Sequence, residues 1–202
     1  MFKLLTLVIV VFTCFTNSFA KNFKKDESFK KLEDFISKIN TIQGNITEIS
    51  PKGEATSNFY FQVPARLRIN YTSKNLPLNV IITQTILTYY DTQLDQKSQV
   101  KTPEGILKLI LNDRLSLLNK EINIKNFIIK NDEIIVDLTY SPFPENKIKL
   151  IFNANNFYLK SIKITDEVNT TTMKFKNLIF NSKISDKIFV IKNKKIDSKF
   201  DF

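Results

Sequence analysis

The sequence predicts a mainly β chain with helices, an α+β fold organised on one large antiparallel sheet that curls. Two observations predict it. Alternating apolar and polar runs, parted by short turn-forming segments, fill most of the chain, and short connections imply antiparallel neighbours. Only two longer stretches show helical character, one near the N-terminus and one in mid-chain, beside a single turn near the C-terminus.

Met1-Phe2-Lys3, an apolar run over residues 4–15 and the small-residue exit Ser18-Phe19-Ala20 have the anatomy of a signal peptide cut after Ala20. The run is shorter than the roughly 20 residues a spanning helix needs. Cys14 is a weak lipoprotein signal, because Thr13 stands where a small residue is wanted. Cleavage leaves residues 21–202 as a single Cys-free domain that cannot rely on disulfides.

Residues 26–40 form the clearest helix, with Phe29, Leu32, Phe35, Ile36 and Ile39 on one stripe and Asp26 or Ser28 as cap. A strand over 42–49 and a turn at Ser50-Pro51-Lys52-Gly53 follow. Residues 59–96 are the stretch the rest serves. Their strands put Phe59, Phe61, Leu67, Ile69, Tyr71, Val80, Ile82, Leu87 and Tyr89 on one face of the sheet, a wide apolar surface. Thr102-Pro103-Glu104 then opens a second helix whose body, from Ile106 and Leu107 through Leu109 and Ile110, is apolar nearly all round. Such a helix is buried on several sides or covers something apolar.

Beyond Ile122 the runs 126–130, 133–140, 147–153, 158–165 and 171–180 read as strands, with turns at 131–132, 142–144, 155–156 and 166–169. Residues 185–189 read as one helical turn, and Lys192 to Lys195 as an edge strand or fraying tail. The sheet then has roughly ten strands, and so large a sheet tends to curl.

Composition excludes several functions. There are three Gly, so no phosphate-binding Gly-rich loop can be assembled, and no His, so nucleophilic triads and ordinary zinc sites are unavailable. No cofactor, metal or catalytic residue is expected. Asp91 with Asp95 and Asp132 with Glu133 sit in polar turns, where solvated acids are the ordinary reading. The net charge of +10 comes from Lys spread through nearly every segment, which argues against a nucleic-acid partner.

The order of signal peptide, amphipathic helix, Ile46-Thr47-Glu48-Ile49-Ser50-Pro51-Lys52-Gly53, then Phe59 to Tyr71, Tyr89 to Gln96 and Thr102-Pro103 resembles the periplasmic outer-membrane lipoprotein carrier family, LolA. Leu159-Lys160-Ser161-Ile162, Asp166 and Thr170 to Phe180 extend the likeness over nearly all of the mature chain. The resemblance implies an incomplete β-barrel closed by a helical lid. Its apolar interior would carry the acyl chains of lipoproteins across the periplasm, from an inner-membrane ABC transporter to an outer-membrane receptor or membrane surface. A monomer is expected.

On this reading the nine apolar residues named above line the cavity, and Ile106, Leu107, Leu109 and Ile110 belong to the lid. Family members commonly carry an Arg before the Pro that ends the second strand, thought to hold the lid shut; here that position is Val63, and Arg66 or Arg68 are candidates to replace it. Three acyl chains of about 15 methylenes, at ~0.8 kcal/mol each, make burial worth on the order of 36 kcal/mol as an upper bound. A carrier therefore needs an apolar cavity and a way of opening it. The rival is a non-catalytic envelope-sensor or polyanion-binding domain on the same fold, whose binding would weaken steeply with salt.

Overall fold

The computed structural model describes residues 23, 26–64, 66–73, 76–103 and 116–191. The expected signal peptide, Ile106, Leu107, Leu109 and Ile110 of the expected lid, and the Lys192 to Lys195 tail lie outside the described residues. Among the described residues, no helix is long and apolar enough to cross a membrane.

Helix α1, Glu27–Ser37, begins where its capping chemistry begins: Asp26 Oδ1 accepts from the Ser28 and Phe29 amides at 2.8 and 3.4 Å. Its stripe buries Phe29, Leu32 and Ile36. Eleven strands follow: β1 Thr41–Ser50, β2 Gly53–Gln62, β3 Arg66–Tyr71, β4 Leu78–Ile82, β5 Ile86–Asp91, β6 Gln96–Lys101, β7 Ile122–Lys130, β8 Glu133–Tyr140, β9 Phe143–Asn153, β10 Leu159–Thr165 and β11 Thr170–Phe180. A 3-10 turn, Asp186–Phe189, is capped by the Ser185 side chain. The expected turn at 142–144 is shorter than the sequence suggests, because Tyr140 already pairs with Phe143.

All eleven strands join one antiparallel sheet in the order β6-β5-β4-β3-β2-β1-β11-β10-β9-β8-β7, so its first and last strands in sequence meet in the middle. That seam, β1 against β11, carries register from Ile42 opposite Phe180 to Ile49 opposite Thr172. The sheet is open, with β6 and β7 as its two edges.

Register aligns the apolar side chains into rows that cross strands. Leu87, Ile82, Leu67, Phe61, Ile42 and Phe180 are successive partners from β5 to β11. Met173, Ile162, Leu150, Val136 and Phe127 are successive partners from β11 to β7. The alternate positions face the other way, and there Lys147 and Lys149 of β9, Lys163 of β10, and Lys174 and Lys176 of β11 share one surface. Lysines that looked dispersed in sequence are gathered by the pleat.

Two clusters form the interior. One joins Phe29, Leu32 and Ile36 of α1 to Ile134, Val136, Leu138 and Tyr140 of β8, with Phe127, Ile148 and Phe152. The other joins Ile46, Phe59, Phe61, Val80, Ile82 and Leu87 across β1, β2, β4 and β5. Helix α1 packs only into the first.

A candidate acyl-chain cavity between the two halves of the sheet

Between the clusters lies a cavity of about 500 Å³. Nearly every strand of the sheet contributes to its lining: Ile42 and Ile46 from β1, Phe59 and Phe61 from β2, Leu67 and Ile69 from β3, and Ile82 from β4. From the other half come Leu138 of β8, Leu150 of β9, Ile162 and Ile164 of β10, and Met173, Phe175 and Leu178 of β11, with Phe35 and Ile36 of α1, and Ile39 just after it, also in the lining. Ile82 and Leu138 are seven strand steps apart, about 34 Å in a flat sheet at ~4.8 Å per step. Both face one cavity, so the sheet must curl around it.

Aromatic side chains shape the walls. Phe59 meets Phe175 edge-on at 5.7 Å across β1. Phe35 of α1 packs on Phe180 at 5.4 Å and on Phe157 at 6.0 Å, and Phe180 in turn on Tyr158 at 4.6 Å. Gly44, opposite Phe59, is required by close approach: a Cβ there would stand 2.8 Å from the Lys176 carbonyl oxygen and 2.9 Å from Leu178 Cδ2. The absent side chain leaves room for Leu178, itself a lining residue.

Polar groups lie at the margin. The Tyr71 hydroxyl donates to Glu48 Oε2 at 3.2 Å. Burial, reinforced by the Glu48 charge and that hydrogen bond, pushes the Tyr71 pKa up to about 12. On α1, the Glu33 carboxylate accepts from the Ser116 hydroxyl and, at 2.8 Å, from the Leu117 amide, and both of those residues line the cavity.

Of the nine residues that the sequence places on the cavity face, Phe59, Phe61, Leu67, Ile69 and Ile82 reach the cavity lining. Val80 and Leu87 are buried in the same cluster behind that lining, and Tyr71 packs against it. Tyr89 is on the expected face but 38% exposed, because its partner on the edge strand is Ser98, too small to cover it. Its neighbour Tyr90 is the buried one, on the opposite face, with its hydroxyl 2.6 Å from Asp95 Oδ1.

Arg66 and Arg68 alternate with Leu67 and Ile69 and therefore face away from the cavity. There they grip the C-terminal 3-10 turn. Arg66 Nη1 pairs with Asp186 Oδ1 at 2.7 Å, and its guanidinium lies 5.0 Å from the centre of the Phe189 ring. Arg68 Nη1 donates to the Ile188 carbonyl at 2.5 Å and its Nε to Asn70 Oδ1 at 2.6 Å. Burial lowers the Arg68 pKa. Val63, in the place expected of a latching Arg, packs against the β1–β5 cluster and donates its N–H to the Asn40 carbonyl at 2.9 Å.

The reading from sequence did not find the contributions of α1 and of β8 to β11. Their alternation was visible, but the pairing of Ile42 with Phe180 that folds them over the earlier strands has no local signal.

The fold and the cavity define a curled open sheet around an apolar interior, half covered by an amphipathic helix. The family described as outer membrane lipoprotein carrier protein LolA matches residues 37–192, and the chain belongs to that family. An uncharacterized protein of Rickettsia prowazekii is 24% identical over 198 residues, covering 97% of this chain and 90% of its own length. Among solved structures, an uncharacterized conserved protein of Thermus thermophilus superposes with a TM-score of 0.54 at 10% identity, over 83% of this chain and 96% of that one. A DUF1329 family protein of Desulfovibrio piger gives a TM-score of 0.50 at 7% identity, over 81% and 95% of the two chains. These two likenesses are of fold.

Proposed function

We propose that this protein is a periplasmic carrier that takes up the acyl chains of lipoproteins in the cavity and ferries them from the inner to the outer membrane. The observation that carries the reading is the cavity itself, about 500 Å³ lined almost wholly by Ile, Leu, Met and Phe side chains. Ligand pockets commonly measure ~300–1,000 Å³, so the volume suits part of an acyl chain set rather than a whole lipid. Each methylene withdrawn from water contributes ~0.8 kcal/mol, so partial burial suffices for capture and still permits release.

Membership of the carrier family supports the same reading. Cargo would come from an inner-membrane ABC transporter and pass to an outer-membrane receptor or directly to the membrane surface, with the carrier acting as a monomer. Residues 21–202 would be one carrier domain, exported by the signal peptide that residues 1–20 resemble. Phe59, Phe61, Leu67, Ile69 and Ile82 would touch the acyl chains, whereas Val80 and Leu87 would support them from behind.

Native mass spectrometry of the mature protein with a triacylated lipopeptide tests this. A one-to-one complex is expected from the wild type and none from Ile69→Glu, with circular dichroism unchanged between them. A well-folded wild type that forms no complex would remove the carrier function and leave the family fold alone.

A further inference from the structure

The cavity has one wall that belongs to neither the sheet nor the helix. Ser116, Leu117 and Asn119, in the turn that precedes β7, line it directly beside α1. Leu117 is 6% exposed and is packed into the cluster around Phe29 and Leu32. The turn is internally knit: the Leu118 amide donates to Ser116 Oγ at 3.0 Å, and the Glu121 amide to Asn119 Oδ1 at 2.9 Å.

What joins this turn to the helix by polar contact is Glu33. Its Oε1 accepts from the Ser116 hydroxyl and its Oε2 from the Leu117 amide at 2.8 Å. Glu33 is half-buried on α1, between Leu32, which is fully buried, and Asp34, which is in water. A carboxylate accepting two hydrogen bonds, each on its own oxygen, is a charge-assisted two-point contact and fixes orientation as well as distance. Apolar packing of Leu117 alone would leave the turn free to slide along the helix, because dispersion contacts are non-directional.

We propose that Glu33 is a clasp: it positions the Ser116–Leu117 wall against α1 and thereby sets how readily an acyl chain enters and leaves the cavity. The inference rests on the carrier reading given above. It assigns to α1 the latching role that the sequence pointed toward Arg66 or Arg68, both of which face away from the cavity. Cargo whose chains press on Leu117 would strain the two hydrogen bonds, and a carrier that must both hold and release needs such a contact of intermediate strength.

The test uses the mature protein loaded with nitrobenzoxadiazole-labelled palmitate and chased with an excess of unlabelled palmitate. Glu33→Ala is expected to release the probe about tenfold faster, the factor by which a lost charge-assisted hydrogen bond shifts an equilibrium. Glu33→Gln, which keeps the volume but offers one acceptor oxygen, should fall between Glu33→Ala and wild type. Ser116→Ala removes one of the two bonds with less disturbance of the helix and should give a smaller acceleration in the same direction. Asp34→Asn, the same loss of charge one residue away on the exposed side, should leave release unchanged.

Hydrogen exchange at the Leu117 amide is read in parallel and should quicken in the Glu33 variants while β8 and β9 stay protected. Faster exchange at Leu117 with an unaltered release rate would make Glu33 structural only and overturn the proposal. A wild type that takes up no probe would sink the carrier reading and this inference with it, and that result is distinct from binding with unchanged release.

Discussion

The two halves of the sheet are built from the same kind of strand yet finished differently. In the half formed by β7 to β10, helix α1 lies over the sheet, and Phe29, Leu32, Ile134 and Val136 are at most 1% exposed. In the half formed by β2 to β5, Arg66 and Arg68 hold the C-terminal 3-10 turn on the outer face, and every residue of β3 remains partly accessible. The first is a closed core. The second half is more open: Phe59, Phe61, Val80, Ile82 and Leu87 are 3–6% exposed, and three of them, Phe59, Phe61 and Ile82, line the cavity. Phe29, Leu32, Ile134 and Val136 are outside the cavity lining, so stability and ligand binding should be separable by side chain.

The largest effect that would sharpen this division is in the closed half. Leu32→Ala should cost about 2–5 kcal/mol in denaturant unfolding, because a fully buried Leu leaves a cavity its neighbours cannot collapse into. If it cost no more than a substitution at the open half, the contrast would disappear. Ile69→Ala, at a partly exposed position, should cost only ~1 kcal/mol while weakening lipopeptide binding measurably.

Of similar size to Ile69→Ala is the effect expected on the outer face. Arg68→Ala removes the donor to the Ile188 carbonyl and should cost ~1 kcal/mol, releasing the C-terminal turn to protease without altering lipopeptide affinity. Asp26→Ala, which takes the cap from α1, should also cost ~1 kcal/mol and lower the melting temperature of the closed half.

A pH dependence is expected at the margin of the open half, confined to alkaline solution. The folded state raises the Tyr71 pKa from 10.0 to about 12, so it favours the neutral phenol. That contribution is fully present below pH ~10 and is lost as pH rises toward 12. Alkaline unfolding curves should therefore be shallower for Tyr71→Phe than for wild type across pH 10–12, and identical curves would mean that burial and Glu48 do not raise the Tyr71 pKa.

Much of this architecture is legible in the sequence because it depends on local period. The stripe Phe29, Leu32, Ile36 announces α1, and the alternation through Phe59 and Phe61 and through Leu67 and Ile69 puts these four on one face of the sheet, where the structure has a cavity. What the sequence withholds is long-range pairing. Nothing near Ile42 indicates Phe180 as its partner, so the contribution of Met173, Phe175 and Leu178 to the same cavity could not be read. Near an edge, period alone also misleads. Tyr89 and Tyr90 satisfy the same alternation, and it is the missing cover from Ser98 that leaves Tyr89 in water. Parity, in contrast, was informative for Arg66 and Arg68, since one residue's shift from Leu67 and Ile69 puts them on the opposite face.

On the proposed carrier function the acyl chain lies in the cavity between the two halves, against the inner face of the sheet. Photo-crosslinking with a triacylated lipopeptide carrying a diazirine on one acyl chain, followed by peptide mapping, measures this directly. The account predicts label on Phe59, Leu67, Ile69 and Phe175, which line the cavity, and loss of that label when unmodified lipopeptide competes. Label confined to the opposite face, at Tyr60, Lys163 or Lys174, or spread evenly over both faces, would contradict it.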